Sequence, residues 1–307
     1  MPRTKHLISI DDLTDTDLHD IVERAAEFAG RPVEHGHPLT GEVAGLYFRR
    51  TSTRTRTSFW SGALRLGAGV VNFGPDDLQT NTGESTEDTG RVLASMLDIL
   101  VARTCGSTEE LRSWASWNGM SVINAMSALE HPTQALTDLA TMRVRFGSLS
   151  GLRVTYLGEG NNSATALALA VARIPGMEID FRTPPGYAVD ATVMARAVET
   201  AARTGAKVTE THDMFEPPAE MDVIYTTRWQ TTGTVKPDPD WLDVFAPFQV
   251  TTRLWETSPK ALFMHDMPAH RGEEVTAEVL DGPASIAFEQ AANKMNTAMA
   301  VLEWCRA

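Results

Sequence analysis

Short apolar runs alternate with amphipathic stretches along almost all of this 307-residue chain, and that alternation limits the fold more than any other feature. A strand followed by a helix and then another strand packs as parallel sheet with helices on its faces. The strand-like runs are Val43 to Phe48, Gly69 to Phe73, Asp98 to Arg103 and Ser121 to Ala125, then Arg153 to Leu157, Glu178 to Arg182, Lys207 to Thr211, Asp222 to Thr227 and Ala261 to His265. Between and around them, helical spacing covers Asp11 to Ala29, Ser52 to Leu66, Thr86 to Leu97, Thr108 to Asn118, Pro132 to Phe146, Ser163 to Arg173, Val189 to Arg203 and Ala284 to Cys305. Thr14 or Asp15 is placed to cap the first helix and Gly30 to end it. The series breaks once, at Gly147-Ser148-Leu149-Ser150-Gly151, a linker-like composition that predicts a domain boundary. Two open α/β domains are therefore expected, and ligands in such domains sit beyond the carboxyl ends of the strands.

Composition removes whole classes of function. Lys and Arg total 27 against 40 Asp and Glu, a formal net charge of -13, the wrong sign for a general nucleic-acid binder. No stretch is apolar enough for a membrane span, and Met1 to Ile10 lacks the apolar run of a signal peptide. The only cysteines are Cys105 and Cys305, too few for a disulfide framework. His6, His19, His35, His37 and His212 show no metal-ligand spacing, so no metal is expected. A reduced, cytoplasmic chain is the default expectation.

Against that acidity stands Arg49-Arg50-Thr51-Ser52-Thr53-Arg54-Thr55-Arg56, with four arginines in eight residues where a strand ends and a helix begins. With Ser52 as N-cap, the N–H groups of Thr53, Arg54 and Thr55 become helix-end donors, and with the arginines they make a cradle for phosphate. The alternative is a capped helix with a solvated arginine face, and strand-to-helix turns rich in Ser and Thr are common enough to keep it open. Arg103 closes a strand and points toward the same kind of crevice. His131-Pro132-Thr133-Gln134 opens a helix, and His265-Asp266-Met267-Pro268 follows another strand.

Together these segments bring a known family into view. Ser52-Thr53-Arg54-Thr55-Arg56 resembles the carbamoyl-phosphate motif of the aspartate/ornithine carbamoyltransferase family, and His131 to Leu139 is similar to its second signature. His265 to Thr276 resembles the third signature in its ornithine form, and the three occur in the right order over nearly the whole chain. The resemblance implies two Rossmann-like domains with parallel sheets covered by helices and joined by interdomain helices. Residues 1–147 would bind carbamoyl phosphate, 151–284 the amino-acid acceptor, and 285–307 would return to the first domain. It also implies a homotrimer, an active site between the domains, and no cofactor. Ser52, Thr53, Arg54 and Thr55 would hold the phosphate, Arg103 would bridge phosphate and carbonyl, His131 would face the carbonyl oxygen, and Gln134 would accept from the carbamoyl amide, with Met267 and Lys294 completing the set. Attack by a neutral amine builds charge on the carbonyl oxygen, and Thr55, Arg103 and His131 would meet that charge with fixed donors. The departing phosphate can take the amine's proton.

The acceptor half departs from its relatives. Gly158-Glu159-Gly160-Asn161-Asn162 resembles the ornithine-type loop, with Asn161 as the implied ligand. The strand led by Asp222 ends in Thr226-Thr227-Arg228-Trp229-Gln230 rather than a Ser-Met-Gly loop, an ending that looks like the aspartate type, so Arg228 and Gln230 are candidates for a carboxylate and Trp229 would shorten the cavity. Yet Asn81 to Ser85 lacks the lysine of the aspartate type, Asp266 replaces the ornithine-type cysteine, and Lys294 replaces a family arginine. Asp222, Thr226 and Asp266 join the acceptor candidates. An aspartate at 266 repels a dicarboxylate and favours a second ammonium, so a small diamino acid is expected: ornithine or a shorter one such as 2,3-diaminopropionate. Three rivals stay open: an aspartate-type enzyme, a non-catalytic relative, and a dinucleotide-binding oxidoreductase. The last rests on Gly158-x-Gly160-x-x-Ser163, with Asp180 as the nearest acid to the place such a fold requires.

Overall fold

A strand buried on both faces of a sheet needs apolar side chains pointing both ways, and Ile99-Leu100-Val101-Ala102 supplies four in succession ahead of Arg103, all five residues buried. The structure, a computed structural model, describes residues 4–30, 36–216, 218–231 and 233–307; His35 lies outside them, as do Met1 to Arg3. The chain divides into two units, Met1–Val144 with Ala292–Ala307, and Arg145–Ala291.

The first unit runs α1 (Asp15–Gly30), β1 (Val43–Phe48), α2 (Arg54–Arg65), β2 (Gly69–Phe73), α3 (Thr86–Ala94), β3 (Ile99–Arg103), α4 (Thr108–Ala115), β4 (Ser121–Asn124) and α5 (Pro132–Phe146). Its four strands are parallel, in the order β2-β1-β3-β4. The helix expected over Asp11 to Ala29 is split. Ser9 Oγ accepts from Asp11 N–H at 3.1 Å and the Asp12 carboxylate accepts from Ser9 N–H at 3.0 Å, which closes a separate 3₁₀ turn over Ile10–Asp12. Thr14 and Asp17 then exchange two backbone-to-side-chain bonds and start α1 afresh.

The second unit runs β5 (Arg153–Leu157), α6 (Asn162–Val171), β6 (Glu178–Arg182), α7 (Ala191–Thr204), β7 (Lys207–Thr211), β8 (Val223–Thr226), α8 (Trp241–Phe245), β9 (Leu262–His265) and α9 (Ala277–Leu280). Its five strands are also parallel, in the order β7-β6-β5-β8-β9. The short α8 and α9 were not expected: at five and four residues they are too brief for a helical period to register. A last helix, α10 (Ala287–Arg306), contributes its residues from Ala292 onward to the first unit. It begins three residues later than expected, because Ser285 N–H and Ile286 N–H bond to Gly282 and Phe263 carbonyls instead. Among the described residues no helix is long and apolar enough to cross a membrane.

Strand order locates where a ligand can sit. In the first sheet the chain turns one way from β1 to β2 and the other way to β3, so the switch point lies between the carboxyl ends of β1 and β3. In the second it lies between β5 and β8 for the same reason.

Candidate active site

Register places the first set of side chains. Phe48, the last residue of β1, pairs with Arg103, the last of β3, and Arg49 N–H donates to the Arg103 carbonyl at 3.0 Å. Arg103 and the turn leading into α2 therefore share the carboxyl edge at the switch point. The sequence puts Ser52 at the N-cap of α2, and the structure corrects this. Thr53 holds that position in a right-handed helical conformation, and no side chain caps the helix. Ser52 is buried one residue earlier, its carbonyl accepting from Arg56 Nε at 3.5 Å. The Thr53 side chain therefore makes no cap at this helix start, where backbone N–H groups and a positive dipole end suit an anion.

Not all four arginines serve that edge. The Arg49 guanidinium is ion-paired with Glu110 and bonded to the Tyr47 hydroxyl at 3.0 Å, and Arg56 lies over the Phe48 ring at 5.6 Å. The expectation that Arg49 adds positive charge to the crevice is corrected: its charge is already answered by a carboxylate.

His131 arrives from β4 through a braced loop. The Asn124 amide donates to Ile8 O at 2.8 Å and to Ser127 Oγ at 3.1 Å, while the Glu130 carbonyl accepts from both the backbone N–H and the hydroxyl of Ser127 at 3.0 Å. The buried Glu130 carboxyl accepts from Ile10 N–H at 2.6 Å, and burial pushes it up to about 7. Beyond it, His131, Thr133, Gln134 and Thr137 on α5 line a small cavity with Thr55, Ser58 and Phe59 of α2 and Lys294 and Ala298 of α10. Burial, then the positive charges of Lys294 and Arg103, hold the His131 imidazole well below its ordinary value. The ring is neutral near pH 7 and has a single N–H to give. Lys294 donates to Gln134 Oε1, and Gln134 Nε2 donates to Asp138 Oδ1 at 2.7 Å. The amide oxygen expected to receive a carbamoyl N–H is therefore already shared with a lysine, and it keeps one lone pair for a ligand.

The second unit builds another cluster at its own switch point. Gly158 follows β5 with φ +125°, and a Cβ on Gly160 would meet Val189 N at 2.1 Å, so only glycine lets this loop lie against the segment before α7. Asn161 caps α6: its Oδ1 accepts from Ser163 N–H at 2.9 Å and Ala164 N–H at 3.2 Å. Its Nδ2 reaches two hydroxyls, Thr231 at 3.1 Å and Thr227 at 3.4 Å. Thr227 donates onward to both oxygens of Asp266 at 3.0 and 3.1 Å, and Ser163 donates to Asp266 Oδ2 at 3.0 Å. Thr231 donates to Glu159 Oε2 at 2.9 Å, and the other oxygen of Glu159 pairs with Lys236. Asn161 is thus occupied at both ends of its amide, as the hub of a polar chain running from Asp266 to Lys236.

Asp266 stands just beyond β9, its side chain 14% exposed. The His265 ring beneath it is fully buried, with Nδ1 3.5 Å from Asp266 Oδ1. That Nδ1 accepts from Met267 N–H at 2.8 Å, which leaves the proton on Nε2, 3.1 Å from Glu274 Oε1. Among the described residues no lysine or arginine pairs with the Asp266 carboxylate. Met267 sits beside Asp266 with φ +55°.

Other acceptor candidates fall elsewhere. Asp222 lies just before β8, at its amino end, where its carboxylate accepts from Arg153 N–H at 2.9 Å; it braces the sheet one strand length from the cluster, and its expected ligand role is corrected. Thr226 is fully buried and spends its hydroxyl on the Leu157 carbonyl at 2.7 Å. The Gln230 amide donates to Thr234 O at 3.0 Å, within its own loop. Trp229 is buried beside Gly158, with its ring 5.4 Å from that of Phe245, so its bulk goes into the unit's own packing. Arg228 is half-buried next to it. Sequence reasoning passed over Ser163, Thr227, Thr231, Glu159 and Lys236. The first three are short hydroxyl residues, and nothing in a linear pattern shows Ser163 and Thr227, from two distant segments, meeting the Asp266 carboxylate. Asp180, the acid a dinucleotide fold would need, bonds to Arg182 Nε at 2.6 Å in the middle of β6.

Comparison with known proteins agrees with both halves. A family model described as the carbamoyl-phosphate-binding domain of aspartate/ornithine carbamoyltransferase matches residues 5–144, and one described as the Asp/Orn-binding domain matches residues 150–305. An ornithine carbamoyltransferase of Gloeobacter violaceus is 40% identical over 96% of this chain and 94% of its own length. One of Methanothermobacter thermautotrophicus is 38% identical over 98% of each. Among solved structures, ornithine carbamoyltransferase from Pyrococcus furiosus superposes with a TM-score of 0.90 at 34% identity, covering 98% of this chain and 96% of that one. The chain belongs to the aspartate/ornithine carbamoyltransferase family and is a transferase of the carbamoyl type. That membership displaces the oxidoreductase alternative.

Proposed function

We propose that this protein transfers the carbamoyl group of carbamoyl phosphate to the side-chain amine of a small diamino acid, ornithine or a shorter one such as 2,3-diaminopropionate, and releases phosphate. The observation that carries the choice of acceptor is the Asp266 carboxylate, held by two hydroxyls and matched by no lysine or arginine among the described residues. Of the three ions in its hydrogen-bonded chain, Glu159 and Lys236 answer each other, so one negative charge is left over. A half-buried carboxylate in that condition is served by a cationic ligand and opposes a dicarboxylate such as aspartate.

In this reading the first unit holds carbamoyl phosphate. The open turn of α2, with Ser52, Thr53, Arg54 and Thr55, takes the phosphate, and Arg103 spans phosphate and carbonyl. Thr55, Arg103 and the neutral His131 donate to the carbonyl oxygen as the amine adds, and each such donor is typically worth on the order of a hundredfold in turnover. A neutral imidazole hydrogen-bonds without giving up its proton, so the proton shed by the attacking nitrogen leaves with phosphate. No protein nucleophile takes part, and positioning with fixed charge supplies the catalysis. Gln134 and Lys294 orient the carbamoyl amide. The second unit holds the acceptor, with Asp266 and Met267 at the carboxyl end of β9. Assembly as a homotrimer in the cytoplasm goes with this reading, and light scattering after gel filtration tests the trimer.

The decisive experiment measures phosphate release and ureido product with carbamoyl phosphate and ornithine, diaminobutyrate, diaminopropionate, putrescine and aspartate in turn. A diamino acid is expected to lead. Aspartate turned over faster than every diamino acid would overturn the assignment, and no phosphate release with any amine would point to a non-catalytic relative.

A further inference from the structure

Lys236 is a conspicuous residue outside the chemistry just described. It lies in Thr234-Val235-Lys236-Pro237-Asp238-Pro239, a polar, proline-bearing segment in which a lysine would ordinarily reach into water. Instead its side chain is only 4% exposed. Its ammonium pairs with Glu159 and sits 4.4 Å from the centre of the Tyr187 ring, 4.9 Å from that of Phe245 and 5.9 Å from that of Trp241. Removing an ammonium from water costs several kcal/mol, offset only if its partners are well placed. Here one carboxylate and three ring faces are those partners.

What the ammonium holds is more telling than what holds it. Glu159 follows Gly158 at the end of β5, and its second oxygen accepts from Thr231 at 2.9 Å. Thr231 also receives the Asn161 amide, and Asn161 in turn bonds Thr227, which bonds Asp266. Thr227, Thr231 and Lys236 are therefore tied to three partners: Asp266, Asn161 and Glu159. Phe245 packs against Trp229 in the middle of that loop and against Lys236 at its end. Lys236 also cancels the charge of Glu159, so of the two carboxylates in this hydrogen-bonded series, among the described residues, Asp266 is the one without a lysine or arginine partner.

We propose that Lys236 is a positioning and specificity-determining residue for the acceptor: by locking Glu159 it holds the Thr227–Thr231 loop in register with Asp266 and keeps the net charge there at one negative unit. This rests on the reading of the Asp266 cluster as the acceptor site. Without Lys236 the loop loses its outer fixing point and two carboxylates face the bound amine. An acceptor with its own carboxylate is then penalised, and a plain diamine is favoured.

The test uses the full-length protein with Lys236→Met and Lys236→Arg. In Lys236→Met, KM for the preferred diamino acid should rise about tenfold or more, the scale of one lost charge-assisted contact. KM for carbamoyl phosphate should hold within about twofold, the rate ratio of diamino acid to putrescine should fall, and Lys236→Arg should restore most of the loss. Hydrogen exchange should quicken in residues 227–236 of Lys236→Met and stay unchanged around α2 and α5. An unchanged acceptor KM and ratio would overturn the proposal, as would a parallel rise in both KM values that arginine does not rescue. If the wild type carbamoylates no diamino acid at all, the acceptor reading fails by itself. Unchanged exchange in residues 227–236 would then overturn the positioning role independently.

Discussion

Replacing Asp266 by asparagine isolates the charge on which the acceptor reading depends. Asparagine keeps a carbonyl oxygen for the Thr227 hydroxyl, and its size matches, so the hydroxyl scaffold should stay intact. What disappears is one negative charge on a side chain 14% exposed. An ammonium about 4 Å from a carboxylate at an effective dielectric near 20 gains about 4 kcal/mol. Desolvation of both ions takes back part of this, so the net worth falls in the range of about 1.5–3 kcal/mol for a hydrogen bond to a charged group. A middle value of about 2 kcal/mol corresponds to roughly thirtyfold in affinity. Steady-state kinetics with carbamoyl phosphate saturating should therefore show kcat/KM for the preferred diamino acid falling roughly thirtyfold in Asp266→Asn. The rate with aspartate, no longer repelled, should hold or rise, so the ratio of the two compresses. The dissociation constant of carbamoyl phosphate, read by calorimetry, should not follow. A diamino-acid to aspartate ratio unchanged in the variant would show that the ammonium is recognised elsewhere and refute the reasoning. Asp266→Cys should shift preference toward ornithine, and an unchanged ranking there would also count against it.

Other consequences concern titration. The Glu130 carboxyl stands at about 7 in the folded protein against 4.5 in a free chain, so between those values the folded state binds a proton that the unfolded state has lost. The stability this confers is present below about pH 4.5 and is lost as pH rises through 7, a difference of about 3 kcal/mol. Denaturant unfolding of Glu130→Gln should lack that decline relative to the wild type, and an identical pH difference in the two proteins would contradict it. Lys294 is the larger of the two charges that depress the His131 imidazole, after burial itself. Lys294→Met should therefore move the His131 titration upward when followed by NMR, and a shift downward or none would mean that burial alone sets it.

The alternation of strands and helices was legible because apolar runs and helical periods are local, and the nine strands among the described residues fall on segments whose composition marks them. Short elements closed by single side chains were not legible, such as the 3₁₀ turn that Ser9 and Asp12 cut out of the first helix. The residues proposed to hold phosphate drew notice in the sequence because they cluster in two contiguous motifs. Even so, the linear pattern put the cap on Ser52, while the N-cap is Thr53, in helical conformation and without a side-chain cap bond. Of the cluster proposed to take the acceptor, sequence alone pointed to Asn161 and Asp266. Glu159 and Ser163 follow β5, Thr227 follows β8 and Asp266 follows β9, and their meeting depends on strand order, which no window of sequence contains. Lys236 gives no signal at all, since a lysine between a valine and a proline reads as surface.

The pairing of Phe48 with Arg103 has a consequence for how the protein is made. These residues are 55 positions apart, and a slip of one residue between β1 and β3 would turn Arg103 to the opposite face of the sheet. If, as proposed, Arg103 and the turn into α2 take one phosphate, a newly synthesised chain gains no partial affinity until these two strands are in register. Ligand present during folding would stabilise only chains that have passed this check, by an amount that grows with the logarithm of its concentration. Supply of the small phosphate donor would then act on the yield of folded enzyme as well as on its rate.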